Sequence, residues 1–473
     1  MFFVKAVYCR MVQKIFRAAM PFLPYREPKL LHSCKELCSV LEREQVKSVL
    51  LVTDQGIVKN GLIRPLEEVL KKQGVAYTVY DKTQPNPTVE NVEEARKLYL
   101  EKHCEGLLAV GGGSSMDCAK AVGARIVYPK RTLGSMKGIL RVWRKLPTLI
   151  AVPTTAGTGS EATLAAVITD PGTRRKYALM SFPLIPHYAV LDPSLTYSLP
   201  AHLTASTGMD ALTHAIEAYI GHSATKETRK LALEAVRLIF GPCTVSETRS
   251  GEEAQIGEEA KNRKVQIGEE AQNREEVQSR EEVQSAEELR SRKAQSREEA
   301  DKKVRTIEAA CIDGRNRRAR ERMLLAAYKA GIAFSKSYVG YIHALAHALG
   351  GTYGTPHGLA NAVLMPYVLE AYGASVYKPL HEIGTAAGVC KKEDSDENGA
   401  KAMIAEIRRL NKSMGLPDKL AGIRREDIPR MAAHAEKEAN PLYPVPKLLT
   451  AKELEQFYHE AAGWSGEKGR NGK

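Results

Sequence analysis

The chain has no pair of cysteines in C-x-x-C spacing, although its 473 residues include 8 cysteines. Such scattered cysteines argue against a disulfide scaffold or a thiolate zinc site and favour a reducing compartment. The first 26 residues contain no Asp or Glu but several Lys and Arg, as in mitochondrial transit peptides and ordinary amphipathic helices. We expect a cytoplasmic protein, with mitochondrial targeting as the alternative.

Long apolar runs are scarce as well. The longest stretch without Asp, Glu, Lys or Arg covers residues 337–369, which is long enough to consider a membrane span. It contains five glycines, two prolines and three histidines, which indicate buried backbone around a polar site. We therefore expect no membrane segment. The formal net charge is +13, but no nucleic-acid-binding module accompanies it, so we expect no nucleic-acid partner.

Short apolar runs alternate with helical patterns in the first 195 residues. The runs cover residues 48–54, 75–81, 106–110, 148–154 and 188–192. Near-continuous apolar strands separated by helices are typical of a parallel sheet covered on both faces. From residue 201 the pattern is helical. The sequence thus predicts a doubly wound α/β domain over residues 1–198 and an all-α domain over residues 199–473, whose functions the motifs below indicate.

A charged repeat interrupts the helical half. Residues 247–308 repeat Glu-Glu pairs at steps of six or eleven residues, with 17 acidic and 13 basic side chains. A six-residue step falls about 120° short of two helical turns, so the few apolar residues form no stripe and a coiled coil is disfavoured. Because most of its residue types favour helix, we expect an inserted solvated helix or a partly helical disordered segment.

Two loops have the composition of a nucleotide site. In the first, residues 110–120 read VGGGSSMDCAK, a strand that enters three glycines and then a helix. Glycine lets backbone N–H groups approach a phosphate at a helix N-terminus, and serine hydroxyls can add hydrogen bonds. A plain tight turn is the alternative. The candidate cofactor-binding residues of this loop are Gly111, Gly112, Gly113, Ser114, Ser115 and Asp117.

The second loop, PTTAGTGSEAT, follows another predicted strand and contains Thr154, Thr155 and Thr158. Two hydroxyl-rich or glycine-rich loops after parallel strands predict a dinucleotide crevice. A third strand ends at Asp54, whose carboxylate can accept hydrogen bonds from the adenosine ribose and repel a 2′-phosphate. A helix N-cap is the alternative role for Asp54.

The helical half carries the candidate metal ligands. Asp210 and His214 are four residues apart on one helix face, and His343 and His347 repeat that spacing before Gly350-Gly351, where we expect the helix to break. His357 follows a proline at the next predicted helix start. Imidazoles and a carboxylate in almost charge-free sequence favour a metal site over core histidines, and this donor set suits Fe(II) or Zn(II) equally.

These motifs resemble the iron-containing (group III) alcohol dehydrogenases. GGGSSMDCAK, AVPTTAGTGSEAT, GMDALTHAIEAY and GYIHALAHALGGTYGTPHGLANAVLMP are similar to signatures of that family, as are PNPTVENVEEA and EANPLYPVP. The resemblance covers residues 20–242 and 316–462. It implies an N-terminal nucleotide-binding domain that faces a helical metal domain, and hydride transfer between NAD(H) and a small primary alcohol or aldehyde whose oxygen the metal polarises.

The resemblance also implies roles for single residues. The metal ligands would be Asp210, His214, His343 and His357, with His347 beside the nicotinamide as a proton relay. Asp54 occupies the position associated with NAD preference. The other implied cofactor contacts are Gly112, Gly113, Ser114, Thr154, Thr155, Thr158 and Lys176. We expect a homodimer or a higher homo-oligomer.

Three alternatives remain at the level of sequence. A polyol dehydrogenase of the glycerol type or a dehydroquinate-synthase-like lyase would share the fold, but four candidate ligands match the alcohol dehydrogenase branch better. An inactive scaffold that acts through its repeat helix is the third. Intact glycine and ligand positions argue against the scaffold.

Overall fold

The computed structural model describes residues 2–19, 22–170, 172, 175–244 and 303–464. Most of the charged repeat, up to residue 302, lies outside the described residues, and so does its predicted helical character. In the described part, strands and helices alternate up to Val190, and long helices follow from Ala201. The predicted fold class, a doubly wound α/β half followed by a helical half, is confirmed, while the boundary at residue 198 stays a prediction.

A six-stranded parallel sheet forms the centre of the first half, in the order β1-β9-β6-β4-β2-β3. Its strands are β1 Lys29–Leu31, β2 Ser48–Val52, β3 Ala76–Tyr80, β4 Gly106–Gly111, β6 Thr148–Pro153 and β9 Tyr188–Val190. All of these strands except β1 coincide with the predicted apolar runs. The edge strand β1 was not predicted.

Helices cover both faces of this sheet, as the apolar strands predict. Leu50 and Val52 of β2 face one core, and Val49 and Leu51 face the other, because successive side chains point to opposite sides. The helices of this half are α2 Leu37–Arg43, α3 Gln55–Lys59, α4 Arg64–Lys72, α5 Val89–Glu101 and α6 Gly113–Val127, and α1 Phe2–Ala19 precedes them. Helices α5 and α6 pack on the first face, and α2 and α4 pack on the second.

A second, three-stranded sheet lies beside α6 and was not predicted. It consists of β5 Gly138–Ile139, β7 Ala165–Asp170 and β8 Arg175–Met180, in the order β5-β8-β7. Strands β7 and β8 form an antiparallel hairpin. This hairpin matters for the site because β8 carries Lys176.

The second half is a helical domain built around α7 Ala201–Ile220. This helix packs against α8 Lys226–Phe240, α9 Thr306–Ile312, α10 Arg317–Ser337 and α12 His357–Tyr372. Its core includes Ala189 and Leu191, so the apolar interior of this half extends to the end of the sheet. No helix among the described residues has the length and apolar character to cross a bilayer. The remaining helices are α11 Tyr341–Tyr353, α13 Tyr377–Ala386, α14 Asp396–Ser413, α15 Ile428–Ala439 and α16 Ala451–Ala461.

The end of the charged repeat differs from the prediction. Strand β11 Lys303–Arg305 pairs antiparallel with β10 Pro242–Thr244, and α9 follows it directly. Ile307 is fully buried, and Glu308 forms an ion pair with Arg409 at 2.9 Å. Residues 303–308, which their composition assigned to the insertion, are therefore part of the helical domain. Composition alone did not indicate this role, because charged residues of this short segment are paired within the fold, as Glu308 is with Arg409.

Candidate metal and cofactor site

The three predicted nucleotide-binding segments meet at the carboxyl edge of the large sheet. Asp54 follows β2, the glycine loop follows β4, and Thr154 follows β6, and these three strands are neighbours. Strand β3 lies on one side of β2 and β4 lies on the other, so the direction of winding reverses between β2 and β4. Open α/β sheets bind ligands in the crevice at such a point.

The glycine loop ends in the N-terminus of α6. Gly112 is its N-cap residue and Gly113 begins the helix, so first-turn N–H groups are available to an anion. Thr158 of the second loop lies against Gly113, where an added Cβ would come within 2.9 Å of Thr158 Cγ2. The Thr154 N–H donates to the Gly111 carbonyl at 3.0 Å. The two loops therefore form one continuous surface.

The remaining hydroxyls of the two loops lie within the same surface. Thr155 lies beside Gly112, and the Ser114 hydroxyl accepts a hydrogen bond from the Asn86 N–H at 3.2 Å. Ser115 is buried, and its hydroxyl has no hydrogen-bond partner within the described ranges. Ser115 thus underlies the glycine loop, while Ser114 connects it to the segment before α5.

Asp54 has the capping role that the sequence offered as one alternative, and its ribose-binding role stays a prediction. It is the N-cap of α3, and its Oδ1 accepts a hydrogen bond from the Ile57 N–H at 3.1 Å. Its Oδ2 faces the glycine loop, 3.5 Å from the position that a Cβ would take at Gly111. The cap contact orients the carboxylate against the loop, which is compatible with a ribose-binding role.

Asp117 has a different environment from the other candidate residues of this loop. Its Oδ1 accepts a hydrogen bond from the Ser160 hydroxyl at 2.7 Å, and its Oδ2 accepts one from the Val167 N–H at 2.9 Å. The buried Lys120 ammonium lies 4.0 Å away and donates to the carbonyls of Ser160 and Ala165. Both Asp117 oxygens accept hydrogen bonds within the protein, and the assignment of Asp117 as a cofactor-binding residue stays a prediction.

Lys176 connects the cofactor loops with the metal-bearing helices. Its ammonium donates to Asn86 Oδ1 at 2.8 Å and lies 3.7 Å from the position of a Cβ on Gly350 in α11. Burial lowers its pKa, and the nearby Glu438 carboxylate acts in the opposite direction. Lys176 thus places a cation between the predicted cofactor crevice and α11.

Three of the four predicted metal ligands converge. Asp210 from α7, His343 from α11 and His357 from α12 each place one donor atom so that all three lie within 4.8 Å of one another. His357 Nε2 is 3.4 Å and His343 Nε2 is 3.7 Å from Asp210 Oδ1. Pro356 precedes the first residue of α12, as predicted, so His357 begins its helix. Three separate helices therefore aim donors at one point.

The expected break at Gly350-Gly351 is wrong. Helix α11 continues through both glycines to Tyr353 and ends at Gly354, which adopts a left-handed conformation with φ of 69°. Glycine lowers helix propensity but does not end a helix that is packed on its neighbours. His343 and His347 consequently lie on one uninterrupted helix.

His214 lies beside the three converging donors but contributes no atom to their group. Its ring stacks between Phe334, at 4.2 Å between centroids, and His343, at 4.4 Å. Its Nδ1 is buried without a hydrogen-bond partner among the described residues. The assignment of His214 as a fourth ligand stays a prediction.

The site has the chemistry that a divalent cation requires. His343 Nε2 is a buried nitrogen for which the described residues offer no hydrogen-bond partner, a costly state that a metal ion would relieve. Burial acts to raise the pKa of Asp210, but His214, His357 and His343 hold it well below its ordinary value. An ionised carboxylate among imidazoles is a normal site for iron or zinc.

The three imidazoles differ in their protonation. Burial lowers the pKa of His214 to about 3 and that of His357 well below its ordinary value, so both are neutral near pH 7. Burial also acts to lower the pKa of His343, but the Glu217 and Asp210 carboxylates raise it to about 9. His343 thus lies between two carboxylates, where a cation would take the place of a proton.

His347 differs from the ligand candidates in its partner and exposure. Its Nδ1 lies 2.6 Å from Glu438 Oε1, and its ring stacks on His357 at 5.1 Å between centroids. The side chains of His347 and His357 are about one third exposed, whereas that of His343 is only 2% exposed. The site therefore opens on the side of His347, which suits a proton-transferring role and remains a prediction.

Three residues of the site were not predicted. Glu217 contacts His343 Nδ1 at 2.6 Å, Glu438 contacts His347, and Asn361 donates from Nδ2 to Asp210 Oδ1 at 2.7 Å. Glu217 is seven residues after Asp210, so helical spacing alone could have placed it on the same face. Glu438 lies 91 positions from its partner, and no local pattern indicates that contact.

Comparison with known proteins agrees with this geometry. The family model "Iron-containing alcohol dehydrogenase" matches residues 31–193, and "Fe-containing alcohol dehydrogenase family, C-terminal" matches residues 204–262 and 301–462. The 1,3-propanediol dehydrogenase of Citrobacter freundii is 31% identical over 455 residues, covering 95% of this chain and all of the relative. The NAD-dependent methanol dehydrogenase of Bacillus methanolicus is 29% identical over 429 residues, with 90% and 95% coverage.

The fold agrees as well. A crystal structure of 1,3-propanediol oxidoreductase superposes with a TM-score of 0.77 at 30% identity, and it covers 93% of this chain and 99% of that protein. Three findings lead to one conclusion: the family matches, the sheet with its glycine loop, and the converging donors on α7, α11 and α12. The chain belongs to the iron-containing alcohol dehydrogenase family.

Proposed function

We propose that this chain interconverts a small primary alcohol and its aldehyde with NAD(H), and that Asp210, His214, His343 and His357 hold the required divalent ion. The observation that carries the proposal is the convergence of Asp210, His343 and His357 donor atoms within 4.8 Å. When bound, the ion supplies Lewis acidity and NAD(H) accepts or donates the hydride. Relatives named for propanediol and methanol support a small-alcohol substrate.

The protein's own residues would then have distinct tasks. Asp210 is held ionised, and His343 presents Nε2 to the same point because Nδ1 faces Glu217. His347 is anchored through Nδ1 by Glu438, which leaves Nε2 to exchange a proton with the substrate oxygen or water. The exposed side of His347 provides the path to solvent. Lys176 would steer the anionic cofactor toward α11.

The cofactor preference follows from the crevice at the sheet edge. The Gly112 and Gly113 segment at the start of α6 would bind the pyrophosphate through N–H groups, with Thr154, Thr155 and Thr158 lining the adjacent loop. The Asp54 carboxylate would bind ribose hydroxyls and repel a 2′-phosphate. We therefore propose NAD rather than NADP as the cofactor.

A panel experiment tests this function. Metal-free protein is loaded with Fe(II) or Zn(II) and assayed with small aldehydes and either NADH or NADPH, with absorbance of the reduced nicotinamide as the signal. The proposal predicts metal-dependent oxidation of NADH by at least one small aldehyde, and net NADH formation from the matching alcohol. A lyase of the dehydroquinate-synthase type would return its NAD unchanged, so absence of net NADH formation across the panel would favour that alternative.

Assembly and compartment belong to the same proposal. A homodimer or higher homo-oligomer is expected from the resemblance to the family, and light scattering of the purified chain tests it. A cytoplasmic location follows from the scattered cysteines, with a mitochondrial location as the alternative because the first 26 residues lack acidic side chains. Cell fractionation distinguishes these two locations.

A further inference from the structure

Glu217 is a buried carboxylate whose contribution to metal affinity the proposed function leaves open. It lies on α7, seven residues after Asp210, and is 3% exposed. Its Oε2 accepts a hydrogen bond from the Gly340 N–H at 2.8 Å and contacts His343 Nδ1 at 2.6 Å, and its Oε1 accepts one from the Ile342 N–H at 2.8 Å. Within the described residues, its ion pairs include no lysine or arginine.

Two of these contacts satisfy the start of α11. The N-cap residue of that helix is Gly340, which has no side chain to accept the N–H groups of the first turn. Glu217 supplies the missing acceptor from another helix. The absence of a side chain at Gly340 also makes room, because a Cβ there would lie 2.6 Å from Glu217 Oε1. Gly340 and Glu217 therefore form one capping arrangement.

The third contact fixes the imidazole of His343. A carboxylate at Nδ1 keeps the proton on that nitrogen and leaves the lone pair on Nε2 for a metal. Nε2 is the nitrogen that joins Asp210 and His357 in the converging group, and it has no hydrogen-bond partner among the described residues. Glu217 thus determines both the position of the helix that carries His343 and the orientation of its ring.

We propose that Glu217 is a positioning residue that sets the affinity of the site for its divalent ion. The inference rests on the proposed function, because it takes His343 as a ligand. Outer carboxylates that orient ligating histidines typically contribute roughly 10- to 100-fold to metal affinity. Glu217 acts through His343 and needs no contact with substrate or cofactor.

The chain offers a matched control in Glu438. That carboxylate contacts His347 Nδ1 at the same distance of 2.6 Å, but His347 contributes no atom to the converging group. Glu217→Gln and Glu438→Gln therefore make the same chemical change beside two neighbouring histidines of α11. Only the first change should affect metal binding.

The experiment measures metal affinity directly. Zn(II) and Co(II) dissociation constants are determined by chelator competition for the wild type, Glu217→Gln and Glu438→Gln, together with the absorption spectrum of bound Co(II). We expect Glu217→Gln to weaken binding roughly 10- to 100-fold and to alter the Co(II) spectrum. Glu438→Gln should retain the wild-type affinity and spectrum.

Each other result has a defined meaning. Wild-type affinity in Glu217→Gln would overturn this inference while leaving the proposed function intact, whereas a wild type that binds no metal would reject both. Melting of the metal-free proteins detects loss of the helix cap. If Glu217→Gln does not fold, Glu217→Asp, which keeps the charge but shortens the reach, takes its place with the same expected loss of affinity. A lowered melting temperature with unchanged affinity, or failure of both variants to fold, would assign Glu217 to capping alone.

Discussion

Asp54 has a structural role that can be tested separately from its proposed role in cofactor specificity. The carboxylate caps α3 through one oxygen and faces the glycine loop through the other. Asparagine can keep the cap, because its side-chain oxygen also accepts from the Ile57 N–H, but it removes the negative charge. A substitution can therefore separate cofactor choice from local stability.

We predict that Asp54→Asn increases use of NADPH relative to NADH. Removing a repulsion of about 1–2 kcal/mol against the 2′-phosphate corresponds to roughly tenfold in the ratio of the kcat/KM values. Steady-state kinetics with both cofactors checks this, and a thermal melt should show little change because the cap remains. A wild type that already prefers NADPH would contradict the role given to Asp54.

Glu161 is a buried carboxylate in the loop after β6. It is 1% exposed, and neither oxygen has a hydrogen-bond partner within the described ranges. Burial raises its pKa to about 7 from an ordinary value of 4.5, although the Lys120 ammonium acts in the opposite direction. The folded protein therefore holds this proton more tightly than the unfolded chain does.

This difference predicts a pH-dependent stability. The pKa of Glu161 is higher in the folded protein than in the unfolded chain. The stability that protonated Glu161 contributes is therefore fully present below about pH 4.5 and is lost as pH rises toward 7. Glu161→Gln should remove that loss and raise the free energy of unfolding at pH 8 by up to about 3 kcal/mol relative to the wild type. Denaturant unfolding at pH 5 and pH 8 measures the effect.

The exposed Glu101 provides the control for that experiment. Its side chain is 54% exposed, so Glu101→Gln should change the unfolding free energy by less than about 0.5 kcal/mol. An equal pH response in the wild type and in Glu161→Gln would mean that Glu161 is ionised in the folded protein at no cost, contrary to its buried position.

Local sequence patterns identify some residues of the site and miss others. The ligand candidates were found because i, i+4 spacing and charge-free surroundings are visible within one segment, and Glu217 falls into the same helical period. Glu438 and Asp117 depend on contacts between distant segments. Asp117 shares the glycine motif, yet its oxygens are occupied by Ser160 and Val167, which no spacing rule indicates.

At the scale of elements, continuous apolar strands were predicted well and short or edge elements were not. The runs at residues 48–54 and 148–154 became β2 and β6 because burial on both faces requires apolar side chains at every position. The hairpin β7–β8 has mixed polarity, which gives no strong period. The glycine pair in α11 was misread because tertiary packing outweighs local propensity.

The β10–β11 pair predicts that the charged repeat can be removed. Thr244 pairs with Lys303 in antiparallel register, so the two ends of the insertion are adjacent and a two-residue turn can join them. We expect replacement of residues 245–302 by Asn-Gly to leave metal content and alcohol oxidation within a few-fold of the intact chain. Metal analysis and steady-state kinetics of the shortened protein measure this.

A longer deletion is the control for this element. Removing residues 245–308 also removes β11 and the start of α9, including the fully buried Ile307. Loss of such a side chain typically costs about 2–5 kcal/mol, so we expect the longer deletion to melt at a clearly lower temperature. Equal stability of the two shortened proteins would show that the β10–β11 pair is dispensable.

At the scale of the whole molecule, the site exists only because the two halves meet. The sheet supplies the glycine loop and Asp54, and the helical half supplies Asp210, His343 and His357. Lys176 lies between them, near Gly350 of α11. Sequence patterns predicted the cofactor loops and the metal ligands separately, and the resemblance to a family implied that the two domains face each other. The relative placement of the halves follows from packing over long sequence separations.

The central claim is that the converging donors hold one divalent ion on which turnover depends. The most direct measurement is the metal content of wild-type protein and His357→Ala after loading with Fe(II) and removal of excess metal, with NADH formation recorded on the same samples. We expect about one ion per chain in the wild type, and loss of bound metal together with turnover in the variant. Stoichiometric metal and wild-type turnover in His357→Ala would contradict the account.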